Sequence, residues 1–180
     1  MPERDPQPPV DPPAETQPQR LTHVDETGAA RMVDVSAKPA TARTAQASGR
    51  VLVSSEVVGL LRGDGVPKGD ALGVARVAGI LAAKRTSDLV PLCHPLAVSR
   101  VEVDLEVGDD AVEVTALVAT ADRTGVEMEA LTAVSIACLT VIDMVKAVDR
   151  QASIQHVRLE SKAGGRRGSW QRDPEAVEQP

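Results

Sequence analysis

The 180-residue chain has no phenylalanine, no tyrosine and a single tryptophan. Stacking of bases on aromatic side chains, which many proteins use to hold single-stranded nucleic acid, is therefore excluded. The formal net charge of -6 also argues against a nucleic-acid-binding surface, so we expect no nucleic-acid partner. Any heterocyclic ligand would have to be held by backbone, aliphatic and charged groups.

Cysteine and histidine are scarce as well, with two and three residues respectively. Cys93 and Cys138 lie far apart without CxxC spacing, which favours a reducing, cytoplasmic location over a disulfide scaffold. No histidine or cysteine stands at zinc-ligand spacing, so we expect no metal site and no bound cofactor. The uncharged part of the longest predicted helix, Ala130 to Ile142, spans 13 residues. About 20 are needed to cross a bilayer, so we predict no membrane segment.

The length fits one domain with tails. Residues 1–20 hold seven of the 13 prolines and almost nothing apolar, which predicts a disordered tail. Residues 21–168 contain neither a repeat nor a linker and are predicted to form one domain. Residues 169–180 are predicted to be a flexible C-terminal tail.

Hydrophobic periodicity predicts the order β-α-α-β-β-α-β, an antiparallel sheet with helices on one face, hence a ferredoxin-like α+β fold. Gly69, Gly73 and Gly79 are expected to permit close approach of the second helix to another helix. Edge strands of such a sheet favour oligomerisation. The predicted elements are a strand over 50–54 with a possible extension over 41–47, a helix over 56–61 capped by Ser55, a helix over 70–85, a hairpin of 98–107 and 111–118, a helix over 124–148 and a strand over 154–160.

The helix over 124–148 has no wide polar face, so we expect it to be buried on most sides. Asp143 and Lys146 interrupt its apolar run, and a spacing of three places them side by side. A charged pair in an apolar wall is costly, which makes it a candidate functional site. A structural ion pair near the C-terminal end of the helix is the alternative.

A second candidate is the stretch Leu92-Cys93-His94, which lies between Pro91 and Pro95 in a connection. Loops on a rigid scaffold often carry function. The alternatives are that Cys93 is a small buried hydrophobic residue and that His94 satisfies a nearby carbonyl.

Two further segments carry charge beside glycine. Lys68 precedes Gly69, and Lys162 precedes Gly164 and Gly165, an arrangement that suits either phosphate oxygens or a solvated charge cluster. No dinucleotide or Walker fingerprint is present.

The start of the long helix has a structural interpretation. Thr124 and Glu127 have the spacing of a capping box, and Glu129 falls in the first turn, where the helix dipole favours carboxylates. Glu127 and Asp143 are 16 residues apart, about 24 Å along a helix and on nearly opposite faces. If both serve one site, that site must form between two chains.

Several runs together resemble the cyclic pyranopterin monophosphate synthase, or MoaC, family. They are LTHVD, MVDVSAK, KGD, AGILAAKRTSDLVPLCHPL, TGVEMEALTAVS and IDMVKAVD, which span about 21–168. The chain departs from the family in its proline-rich tail, in Ser87, where members often carry an aromatic residue, and in GGRRG, where relatives tend to carry a lysine.

The resemblance implies a ferredoxin-like lyase of molybdenum cofactor biosynthesis. The implied reaction converts 3′,8-cyclo-7,8-dihydroguanosine 5′-triphosphate, supplied by a radical GTP-cyclising enzyme, into cyclic pyranopterin monophosphate and diphosphate. The implied assembly is a homohexamer, a trimer of dimers with sites at dimer interfaces. By motif, the implied catalytic residues are Asp143, Lys146 and Lys68, and the implied substrate-binding residues are Leu92, Cys93, His94, Glu127, Met128, Glu129 and Lys162.

Two other functions remain open at this level. One is a zinc-dependent nucleotide cyclohydrolase that uses Cys93 and His94, for which essential stoichiometric zinc would be the evidence. The other is a non-catalytic ligand sensor, which would bind the nucleotide without releasing diphosphate.

Overall fold

A computed structural model describes residues 27–63, 66–166 and 168–173. The chain divides into an N-terminal unit, residues 1–31, and a second unit, residues 32–180. The predicted disordered tail, 1–20, lies outside the described residues, as do residues 174–180 of the predicted C-terminal tail. Every helix and strand below belongs to the second unit.

The helices and strands of the described residues are β1 Thr41–Leu52, α1 Ser55–Arg62, α2 Ala71–Ala83, α3 Thr86–Leu89, β2 Val98–Val107, β3 Ala111–Asp122, α4 Glu127–Val145, β4 Ser153–Ala163 and β5 Trp170–Gln171. The five strands form one antiparallel sheet in the order β2-β3-β1-β4-β5. The α+β prediction is confirmed, and the order of the four long strands is consistent with the ferredoxin-like arrangement.

The predicted hairpin is present as strands β2 and β3. Val107 pairs with Val112, and the amide of Gly108 donates to the carbonyl of Ala111 at 2.8 Å, which closes the turn. Side chains alternate along β3, with Val112, Val114, Ala116 and Val118 buried and Glu113 and Thr115 exposed. One face of the sheet therefore carries the core and the other is polar, as the alternation predicted.

The core lies between the sheet and helices α2 and α4. Helix α4 packs against β1, β3 and β4, while α2 packs against α4 and β2. With no phenylalanine or tyrosine available, the largest fully buried side chains are mostly valines. Of the three glycines noted above, Gly79 does serve close helix packing, since a Cβ there would stand 2.9 Å from the carbonyl oxygen of Ala133 on α4. Gly73 instead meets the side chain of Asp70, which caps α2.

Helix α4 is long and apolar enough, by length and composition, to cross a membrane. Half of its apolar window is nevertheless buried inside the fold, where it packs against three strands and a helix. We therefore interpret α4 as the central helix of the domain. Its burial is less complete than expected, because Leu139 is 54% exposed.

The C-terminal end of the domain reaches beyond the predicted limit at residue 168. Trp170 and Gln171 form β5, which pairs with Lys162 and Ser161 on β4. Arg172 adds a hydrogen bond from its Nε to the carbonyl of Leu159 at 2.9 Å.

Candidate functional site

At the C-terminal end of α4, three side chains form the lysine–aspartate cluster: Lys68, Asp143 and Lys146. Lys68 Nζ lies 3.0 Å from Asp143 Oδ2 and donates to the Asp143 carbonyl at 2.6 Å. Lys146 Nζ lies 2.7 Å from Asp143 Oδ1. One carboxylate is thus held between two ammonium groups that come from different parts of the chain.

A tight turn presents Lys68 to the cluster. Val66 is buried and its carbonyl accepts from the amide of Gly69 at 2.9 Å, while Asp70 begins α2 by capping the amide of Gly73. Gly69 has φ +95°, a backbone conformation that glycine adopts without strain. The turn is therefore anchored on both sides of Lys68, whose side chain extends to α4.

The two lysines hold the pKa of Asp143 at about 2, first through the hydrogen bond from Lys146 and then through that from Lys68. The expectation that Asp143 and Lys146 stand in an apolar wall is wrong. Their side chains are 54% and 58% exposed, because both point away from the core, whereas Met144 and Val145 between them are buried.

The N-terminal end of α4 holds the glutamate–lysine cluster: Glu127, Glu129 and Lys162. Glu127 Oε1 accepts from Lys162 Nζ of β4 at 2.8 Å, and both side chains are 27% exposed. Glu129 is buried, and burial raises the pKa of its carboxyl, with the charge of Glu127 adding to the effect. Met128 between them is exposed.

The predicted capping box is wrong. Helix α4 begins at Glu127 with Val126 as its N-cap residue, and no side chain makes a capping hydrogen bond. Glu127 instead reaches Lys162 on the sheet. A tertiary ion pair has therefore replaced the local interaction that the spacing predicted.

Leu92, Cys93 and His94 are each partly buried in the connection between α3 and β2. Burial raises the pKa of the Cys93 thiol, and the nearby charge of Glu129 raises it further. Cys93 thus lies near the glutamate–lysine cluster. Its raised pKa keeps the thiol neutral, which argues against a role for Cys93 as a nucleophile. His94 Nε2 lies 2.8 Å from the carbonyl oxygen of Val33, as the carbonyl-satisfying interpretation predicted.

Two contacts near this end were not identified from sequence. Asp34 lies near His94, and the pKa of Asp34 is lowered first by the hydrogen bond from the backbone amide of Ser36 and least by His94. Arg43 of β1 donates to the carbonyls of Asp122 and Arg123 at 2.9 and 3.2 Å, just before α4 begins. The MVDVSAK run was the one sequence signal that included Asp34, and no sequence pattern indicated Arg43.

The predicted site residues therefore fall into two groups at opposite ends of α4. Lys68, Asp143 and Lys146 form one group; Leu92, Cys93, His94, Glu127, Met128, Glu129 and Lys162 belong to the other. Because α4 is continuous, the separation of 16 positions between Glu127 and Asp143 keeps the groups about 24 Å apart along the helix.

Neither group contains a candidate metal centre. Across residues 27–63, 66–166 and 168–173, no three His, Cys, Asp or Glu side chains are placed to hold an ion. A shallow polar cleft of about 270 Å³ lies elsewhere, on the polar face of the sheet, and shares no residue with the predicted site.

The model of the MoaC family matches residues 32–165, most of the described domain. The chain is 72% identical over 153 residues to the cyclic pyranopterin monophosphate synthase of Streptomyces coelicolor, covering 85% of this chain and 90% of that protein. It is 71% identical over 158 residues to the synthase of Nocardioides sp., covering 86% and 97%. A protein of Mycobacterium tuberculosis, cyclic pyranopterin monophosphate synthase 2, is 60% identical over 152 residues, covering 84% and 91%.

The lysine–aspartate cluster and the glutamate–lysine cluster thus both lie within the matched region. The chain belongs to the MoaC family. Its similar relatives bear the name of a synthase that makes cyclic pyranopterin monophosphate.

Proposed function

We propose that this chain is a lyase of molybdenum cofactor biosynthesis that converts 3′,8-cyclo-7,8-dihydroguanosine 5′-triphosphate into cyclic pyranopterin monophosphate and diphosphate. Family membership supports the reaction, since relatives that are 72% identical carry the name of this synthase. The observation in the structure that carries the proposal is the lysine–aspartate cluster, in which one carboxylate holds two ammonium groups within 3.0 Å.

Asp143, Lys146 and Lys68 are the catalytic residues in this proposal. Forming the pterin requires ring opening and reclosing, hence several proton transfers. With a pKa of about 2, Asp143 is ionised but weakly basic while both lysines are bound to it. Triphosphate oxygens compete with Asp143 for those ammonium groups, so substrate binding raises the basicity of Asp143 where protons are to be moved.

Lys68 and Lys162 have the second role, contact with the phosphates. Closing the cyclic phosphate expels diphosphate, whose growing charge is stabilised by fixed cations. Both lysines are already ion-paired, to Asp143 and Glu127 respectively, so each ammonium group is held in place before an anion arrives.

The remaining residues bind the guanine-derived part. Glu127 and Glu129 offer carboxyl oxygens to its N–H groups, a pairing that needs no aromatic platform. Met128 supplies apolar contact, and Leu92, Cys93 and His94 line the same end of α4 with backbone and partly buried side chains.

A single chain cannot bring both groups to one substrate, so we infer that two chains build each site. A homohexamer made as a trimer of dimers would provide such interfaces. Helix α2 offers an unburied apolar stripe in support, in which Val74, Val77 and Leu81 lie on one face and are 48–56% exposed. Both cysteines are free thiols, which supports a cytoplasmic location, downstream of a radical enzyme that cyclises GTP.

The test is to supply the purified full-length protein with the cyclised GTP intermediate and to follow pterin and diphosphate together. We expect both products in equal amounts, with turnover unaffected by a metal chelator. Binding without diphosphate release would replace the proposal with a ligand sensor. Loss of turnover on chelation, restored by zinc, would replace it with a zinc-dependent cyclohydrolase.

A further inference from the structure

Gly125, two residues before α4, lies directly against the carboxylate of Glu127. A Cβ at Gly125 would stand 2.6 Å from Glu127 Cδ and 2.9 Å from Oε1, and it would overlap Oε2. These distances are shorter than real Cβ contacts, so any side chain at this position would displace the carboxylate. The carboxylate occupies the space that the glycine leaves.

The backbone does not require glycine at this position. Gly125 is absent from the glycines with positive φ, which in the described chain are Gly28, Gly69, Gly164, Gly165 and Gly168. The three atoms nearest to the Cβ position, chain neighbours aside, all belong to the side chain of Glu127. The first conflict of an alanine at 125 is therefore with that side chain.

We propose that Gly125 is a positioning residue for the reaction: its missing side chain lets Glu127 fold back from the start of α4 and meet Lys162. The proposal rests on the function proposed above, in which Glu127 binds the base and Lys162 the phosphates. It also accounts for a glutamate at a helix start that makes no capping hydrogen bond.

Because the Glu127–Lys162 pair is partly buried, a side chain at residue 125 that breaks the pair should affect the site. Both side chains are mostly shielded, so their 2.8 Å contact is screened less than a surface ion pair. The carboxylate is also the far end of a flexible side chain, so a methyl group at 125 turns it aside without disturbing the core. Alanine at 125 should therefore change the site and spare the fold.

The matched experiment compares Gly125→Ala with Gly59→Ala in α1, where no atom lies within 4 Å of the added Cβ. We expect Gly125→Ala to lower kcat/KM by about tenfold or more, the usual effect of losing a hydrogen bond to a charged group. Gly59→Ala should leave kcat/KM unchanged, and both variants should melt within a few degrees of the parent.

A double-mutant cycle separates positioning from a backbone effect. In a Glu127→Ala background, Gly125→Ala should cause no further loss, because the carboxylate that it displaces is gone. An equal loss in both backgrounds, or no loss in either, would overturn the proposal.

A crystal structure of Gly125→Ala tests the same point without any substrate. We expect the Glu127 carboxylate to lie beyond 4 Å from Lys162 Nζ, against 2.8 Å in the parent. An unchanged contact would overturn the proposal. If instead the parent fails to turn over the cyclised nucleotide while the contact breaks in the variant, the proposed reaction fails and the positioning effect stands.

Discussion

At the C-terminal end of α4, Asp143 lies in solvent between two ammonium groups that hold its pKa at about 2. At the N-terminal end of the same helix, Glu129 is buried and its carboxyl has a raised pKa. The helix dipole would favour the opposite ranking, since it stabilises carboxylates at the N-terminus and destabilises them at the C-terminus. Burial and direct ion pairs therefore outweigh the dipole at both ends.

The difference in exposure and pKa between Asp143 and Glu129 suits the two ends of α4 to different roles. Because the Asp143 carboxylate is exposed, its two lysines can leave it and pair with an incoming polyanion. A buried carboxyl beside a half-buried ion pair favours fixed hydrogen bonds to a neutral heterocycle. In the proposed function, proton transfer therefore belongs to the C-terminal end of α4 and recognition of the base to the N-terminal end, while each end contributes one lysine to the phosphates, Lys68 or Lys162.

The largest effect should come from Asp143→Asn, which keeps the shape of the side chain and removes the base. We expect kcat to fall by about a thousandfold, within the range of lost acid–base groups. The melting temperature should change little, because the residue is exposed. Asp104→Asn, on an exposed position of β2, is the matched control and should retain full activity. Near-normal kcat in Asp143→Asn would remove this residue from the mechanism.

A mixing experiment tests whether the two ends act on one substrate from different chains. Asp143→Asn and Glu127→Gln subunits, each nearly inactive, are dissociated together and allowed to reassemble. About half of the dimers should be mixed, each with one intact and one doubly damaged site, so about a quarter of full activity should return for a two-fold interface. Verified exchange of subunits without recovery would mean that the two ends serve separate sites.

Glu129→Gln should show the cost of the buried charge. The folded-state pKa of Glu129 is raised, so its contribution to stability is present below the ordinary glutamate value and is lost as pH rises through the folded value. The variant should therefore gain stability over the parent at pH 8, by about 1 kcal/mol, and lose that advantage at pH 4. Denaturant unfolding at both values measures this, and an equal difference at both would contradict the assignment of burial as the cause.

The smallest effect concerns the lysines around Asp143. Lys146→Met keeps the aliphatic stem and removes the largest cause of the low pKa, so the pKa of Asp143 should rise from about 2 toward 3.8. The stability that the ionised Asp143 contributes is present above pH 3.8 and is lost as the pH falls toward 2. In the variant this loss should be complete over a narrower range of pH. NMR titration of the carboxyl carbon gives the value directly. An unchanged pKa would assign the shift to Lys68 alone.

The sequence predicts the sheet, the hairpin and α4 well, because long runs such as 98–107 alternate between apolar and polar residues, which fixes the face of the sheet that each side chain takes. It fails where tertiary contacts override local spacing. Thr124 and Glu127 have capping-box spacing, yet Lys162, 35 residues further on, captures the glutamate. Strand β5 has two residues and no periodicity of its own, so only its pairing with β4 defines it.

The candidate site shows the same division. Motifs identified Asp143, Lys146 and Lys68, and the structure brings these three together. The apolar run placed Asp143 in an apolar wall, because the run does not reveal that one face of α4, which also carries the exposed Leu139, turns away from the core. The contacts of Val33 and Arg43 come from segments remote in sequence, 61 and 79 residues from their partners, which no local pattern encodes.

The single tryptophan, Trp170, stands on β5 with the Arg172 guanidinium 5.9 Å from its ring centre, and the chain has no tyrosine. Intrinsic fluorescence from this protein therefore originates at one place, the outermost strand of the sheet. A change in tryptophan emission therefore reports whether β5 is paired with β4. It gives no information on the valine-rich interior. Spectroscopists following unfolding would see the last strand detach by fluorescence and would need circular dichroism to see the helices melt.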